Sequence, residues 1–163
     1  MTRRLDQVLR STMAELFGFA IVGFMGLAGI CGPTIAVEIS PFTVVGDTIP
    51  APLDGRSGDS ARGRRLVLDR ETGNCLICHQ VPISSEPSQG DLAPSLAGVG
   101  ARLTAGQIRM RLVDQSKLNP ATLMPAYYRT SDLKRVASKY KAVPVFSAQE
   151  IEDVVAWLGT LKD

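Results

Sequence analysis

Two thiols and an imidazole stand together in Cys75-Leu76-Ile77-Cys78-His79. Thiols three positions apart can reach the two vinyl groups of one haem and bond to both as thioethers, which is the chemistry of the C-x-x-C-H spacing. The imidazole directly after the second thiol then falls beneath the iron as a proximal ligand. His79 is the only histidine in the chain, so two imidazoles of this polypeptide cannot grip one iron. A methionine thioether is the remaining soft ligand. Of the five methionines, Met1, Met13 and Met25 lie in a segment read below as an export signal. Met110 falls inside a predicted helix, where core packing accounts for it. Met124 stands in a predicted loop before Pro125, a stiff setting for a sulfur held against iron. Met124 is therefore the expected distal ligand, and Met110 the alternative. A thioether favours Fe(II) and raises the potential relative to a second imidazole. An iron saturated from both sides points to electron transfer rather than to catalysis at that iron.

The same five residues could belong to a zinc knuckle or a redox dithiol. Zinc normally takes four ligands, and the only other cysteine is Cys31. A redox dithiol opens a helix after a strand in an α/β pattern, and no such pattern surrounds Cys75. No thiol remains for a disulfide, so haem attachment is the expected covalent crosslink.

Residues 1–36 read as an export signal. Arg3, Arg4 and Arg10 form a positive start, residues 16–30 are uncharged and mostly apolar, and Thr34-Ile35-Ala36 offers small residues before a cut near Ala36. The alternative is an uncleaved anchor, although the run is near the lower limit for a span and rich in glycine. Arg3-Arg4 resembles a twin-arginine pair, but haem is attached to an unfolded exported chain. Cys31 resembles a lipoprotein cysteine, yet Ile30 before it is bulky. Residues 37–58 form an extended arm, with too many prolines and glycines for a helix or central strand. Both a flexible leader and an ordered arm fit it.

Residues 59–163 read as one helical domain. Asp59 can cap a first helix running to about Glu71, with Gly63 inside it at a cost of ~1 kcal/mol relative to alanine. Thr72-Gly73-Asn74 breaks that helix before Cys75. In Ala93-Pro94-Ser95-Leu96 the Pro94 carbonyl can accept from Nδ1 of His79 and fix its tautomer, and Leu96 would lie on the haem face. An ordinary loop proline is the plainer reading. Thr104 and Gln107 have capping-box spacing and open a helix to about Lys117. Ser147 and Glu150 open the last helix, whose apolar face is Ile151, Val154, Val155, Leu158 and Leu161, with Trp157 one position off it.

Composition narrows the class further. The 163 residues are 45% apolar and 21% charged, with a formal charge of +2. That is an ordinary globular balance. No basic stripe or run suggests a nucleic-acid partner.

These features resemble the class I cytochrome c family: a first helix with Gly63, C-x-x-C-H, Pro-x-Leu at Pro94-Ser95-Leu96, Met124-Pro125, and a last helix with an aromatic residue. Within it, Val44-Val45-Gly46-Asp47-Thr48-Ile49-Pro50, Gly73-Asn74-Cys75-Leu76-Ile77-Cys78-His79-Gln80-Val81-Pro82 and Leu123-Met124-Pro125-Ala126-Tyr127-Tyr128-Arg129 resemble the SoxX family of sulfur-oxidation cytochromes. The resemblance implies a mostly α fold with an N-terminal extended arm, and first and last helices crossing with Gly63 under Trp157. It also implies one covalently attached haem c and residence in the periplasm. The implied partners are a SoxA subunit in a heterodimer, with the SoxYZ carrier and a small cytochrome c as transient partners. Thiosulfate would be joined to a carrier cysteine, an S-thiosulfotransferase reaction carried by SoxA, while this chain takes up the electrons. The alternatives are a free-standing electron shuttle and an iron with a displaceable position.

Overall fold

The structure, a computed structural model, describes residues 39–163. The expected signal at 1–36, including Cys31, and the start of the arm lie outside the described residues. Among the described residues there is no sheet, only an isolated antiparallel bridge between Val45 and Thr48. No helix among them is long and apolar enough to cross a membrane.

Among the described residues four α-helices carry the fold: α1 Ser60–Leu68, α2 Val99–Arg102, α3 Ala105–Asp114 and α4 Ala148–Leu158. Single 3-10 turns occur at Cys75–Ile77, Gln115–Lys117 and Ser138–Tyr140. Asp59 caps α1 by accepting from the Arg62 amide at 2.8 Å. The helix stops at Leu68, short of the expected Glu71, because the Asp69 carboxylate accepts from the Glu71 amide at 2.8 Å. That local bond competes with the helical ladder. The capping boxes of α3 at Thr104 and of α4 at Ser147 both form in full. The short α2 has no periodic signature in the sequence. It follows Gly98, whose φ of +64° turns the chain into it.

Helices α1 and α4 cross at Gly63. A Cβ there would run into the Asp153 carbonyl and lie 3.0 Å from Trp157 Cβ. Glycine is thus required for backbone approach, which offsets its poor helix propensity. Beside the contact, Arg62 Nε donates to Asp153 Oδ2 at 2.7 Å, and Asp153 also accepts from the Asp59 amide at 2.7 Å. Burial pushes the Asp153 carboxyl up, but these bonds and one from Gln149 outweigh it and hold the group below the usual carboxylate range.

The arm is ordered against α3 and α4. Ile49 and Leu53 are buried in the core, and the Ile49 amide donates to Gly106 O at 3.1 Å. A buried ion pair does the rest. Arg109 and Glu152 meet at 2.7 Å, Arg109 Nη1 donates to Ile49 O at 2.6 Å, and Glu152 Oε1 accepts from the Leu53 amide at 3.0 Å. Each charge therefore satisfies both its partner and the arm's backbone, the condition under which such a pair is tolerated in a core.

Candidate haem-attachment site

The C-x-x-C-H motif folds into one tight turn. Asn74 enters it in a left-handed conformation, φ 54°. The Cys78 and His79 amides donate to Cys75 O at 3.2 and 2.9 Å. Cys75 is buried, whereas Cys78 and His79 are half-buried. Both thiols are free. Burial pushes the Cys75 thiol up to about 11, so at neutral pH it is an uncharged S–H.

A strap from Gln80 to Gly98 closes over this turn. The amides of Gly90, Ala93 and Leu96 donate to the carbonyls of Leu76, Cys78 and Gln80, each within 2.9 Å. Gln89, which carried no sequence signal, shapes the strap: its Oε1 accepts from the Val81 amide, and its Nε2 donates to the Ile83 and Glu86 carbonyls at 3.1 Å. The strap delivers Pro94 O to 2.7 Å from His79 Nδ1. A carbonyl can only accept, so Nδ1 carries a proton, and in the neutral ring the lone pair is on Nε2.

Met124 and Leu96 are each partly buried and packed on the core. The Met124 amide donates to Thr122 Oγ1 at 3.1 Å, a local turn that precedes Pro125. Met110, by contrast, is 2% exposed inside α3, which is the core-packing role its helical position implied. Large apolar side chains are exposed on each of three segments: Ile77 on the motif, Leu92 on the strap and Leu123 beside Met124.

Two residues that sequence reasoning gave no role, Tyr127 and Phe146, meet the turn at Gly73. Tyr127 and Phe146 stack at 5.1 Å with an interplanar angle of 13°. The Tyr127 hydroxyl donates to Gly73 O at 2.7 Å. Burial, and then the neighbouring Cys75, pushes this hydroxyl well above its ordinary range, so it stays a donor. Tyr127 entered the sequence reading only within the segment that resembles the SoxX family, and Phe146 carried no signal there.

The donor set fits a haem attached through thioethers. Two free thiols flank one turn, an imidazole has its Nδ1 bonded to a backbone carbonyl, and a thioether follows downstream beside the exposed Leu123. It does not fit zinc: among the described residues no group of three or more His, Cys, Asp or Glu side chains could hold a metal ion.

Comparison with known proteins agrees. The cytochrome c family model matches residues 60–162. A crystal structure of SoxXA from P. pantotrophus is similar, with 34% identity and a TM-score of 0.69, covering 75% of this chain and 95% of that one. No curated protein matches the chain. The cytochrome c family binds haem c covalently, and its members carry electrons. From the attachment turn, the crossing at Gly63 and these two similarities together, the chain belongs to the cytochrome c family and, within it, to the SoxX cytochromes.

Proposed function

We propose that this chain is the exported monohaem electron-transfer subunit of a thiosulfate-oxidising complex. The observation that carries the axial part of this reading is the bond from His79 Nδ1 to Pro94 O. It orients the ring, raises the basicity of Nε2, and suits His79 to be the proximal ligand. Cys75 and Cys78 would be the thioether anchors, Met124 would be the distal ligand, and Leu96 would pack on the haem face. The haem supplies a one-electron carrier. The chain's own residues fix the imidazole tautomer through Pro94 O and, with His79 and Met124 both engaged, would leave no position for substrate.

The partner reading rests on the similarity to SoxXA from P. pantotrophus at 34% identity. A SoxA subunit is the proposed partner in a periplasmic heterodimer, with SoxYZ as the carrier whose cysteine receives thiosulfate. SoxA would carry that chemistry, and a small cytochrome c would take the electrons onward. The arm supports a permanent partner over a free shuttle, because Phe42, Val44 and Val45 are exposed on it at 38, 46 and 56%.

The test is purification from thiosulfate-grown cells, with intact mass and visible spectrum. The expected result is a chain starting near residue 37, one haem heavier than its polypeptide, in a one-to-one complex with a second cytochrome. Recovery only as a free monomer would overturn the partner reading, and a colourless chain would overturn the whole proposal.

A further inference from the structure

One hydroxyl ties the segment after Met124 to the haem-attachment turn. Tyr127 is 5% exposed, and its hydroxyl donates at 2.7 Å to the carbonyl of Gly73, 54 positions earlier. Gly73 itself is hemmed in: a Cβ there would lie 2.7 Å from Phe146 Cζ and 3.6 Å from Cys75 Sγ. The Tyr127 backbone is fixed as well. Its amide donates to Leu112 O at 3.0 Å, and its carbonyl accepts from the Phe146 amide at 3.1 Å. Only Pro125 and Ala126 separate Met124 from Tyr127, and proline locks φ in that link. A movement of Met124 away from its seat is therefore felt at Tyr127. The next residue turns elsewhere. The Tyr128 hydroxyl accepts from the Ser40 amide at 2.8 Å, and its ring tilts against Phe42 at 6.3 Å.

We propose that Tyr127 is a positioning residue that keeps the Met124 thioether seated, by pinning the methionine segment to the backbone just before Cys75. The proposal rests on Met124 being the distal ligand. Tyr128, one position on, serves the arm instead and leaves the thioether alone. Release of Met124 competes with the Tyr127–Gly73 bond, so removing the hydroxyl favours the released state. One hydrogen bond of ordinary net strength corresponds to about a fivefold to tenfold change in that equilibrium.

Imidazole, which displaces a thioether from iron, is the probe. The haem-loaded protein is titrated with it in wild type, Tyr127→Phe, Tyr128→Phe and Met124→Ala. The ferric sulfur-to-iron charge-transfer band and far-UV circular dichroism are followed on heating. The expected result is intact haem attachment in Tyr127→Phe, with apparent imidazole affinity about five to ten times that of wild type. Its charge-transfer band should fade at a lower temperature than the helical signal. Tyr128→Phe loses overall stability, while its imidazole affinity stays at the wild-type value. An affinity of Tyr127→Phe within twofold of wild type overturns the proposal, as does an equal rise in Tyr128→Phe. Should Tyr127→Phe not load haem, Phe146→Leu weakens the same clamp and must raise affinity in the same direction. If wild type shows no charge-transfer band and binds imidazole as Met124→Ala does, the distal-ligand reading itself fails, a result separate from the first two.

Discussion

The histidine side of the site and the methionine side are held by different physics. On the histidine side, amides of the strap meet carbonyls of the turn over short separations, as in Gly90 to Leu76 and Ala93 to Cys78. The bond that orients His79 spans 15 positions. On the methionine side, backbone bonds from Tyr127 to Leu112 and from Phe146 to Tyr127 are backed by side-chain contacts of longer range. Tyr127 reaches Gly73 across 54 positions, and it stacks on Phe146 at the far end of a polar loop. Local backbone bonds form with little loop-closure cost, whereas distant side-chain contacts need the whole fold in place. The imidazole should therefore stay put when the fold is loosened, and the thioether should be the first ligand to leave the iron.

The largest expected effect is on the histidine side. His79→Ala should damage haem incorporation itself, measured as the fraction of exported protein carrying haem by intact mass. Full loading with an unchanged spectrum would break the comparison at its root.

Phe146→Ala should come next, costing about 3–5 kcal/mol by denaturant unfolding, the usual range for removing a buried phenylalanine. Phe146 is fully buried, and the loss should fall on the methionine side. The charge-transfer band should weaken while haem stays attached. Gln89→Ala probes the strap in the same way. It leaves the partners of one side-chain amide unpaired and should cost about 1–3 kcal/mol, with the charge-transfer band unchanged at temperatures below unfolding.

The smallest effect is a pH dependence placed away from both sides, at the helix crossing. The Asp153 carboxyl is held below its ordinary value in the folded chain. Its contribution is thus present above the unfolded carboxylate range of about 4 and is lost as pH falls through the lower folded value. Asp153→Asn should flatten the acid limb of a stability-against-pH curve. A limb of unchanged steepness would assign acid sensitivity elsewhere.

What was legible in the sequence follows the same division. The C-x-x-C-H turn and the capping boxes at Thr104 and Ser147 depend on neighbours within a few positions and could be read directly, whereas α3 ends at Asp114 and the last residues of the expected helix, Gln115–Lys117, form a 3-10 turn. Gly63 was legible as an oddity, a glycine inside a helix, and the Asp153 carbonyl against it supplies the reason. The arm could be read as extended but not as ordered. Its anchor is the Arg109–Glu152 pair, whose members lie 43 positions apart on two different helices. Either charge alone looks like an ordinary solvated helix residue. The early end of α1 depends on the direction taken by the Asp69 side chain, and the one-turn α2 is too short to show a period. Tyr127 was visible only as part of a resemblance, because its role exists only once Gly73 is beside it.

The most direct test of the central claim is the ferric visible spectrum of the exported protein beside that of Met124→Ala. The account predicts a sulfur-to-iron charge-transfer band in wild type and its loss in the variant. Haem should remain attached in the variant, with a lower reduction potential and rapid binding of cyanide. A band that survives in Met124→Ala would contradict the account and move the thioether to Met110, which the structure buries inside α3.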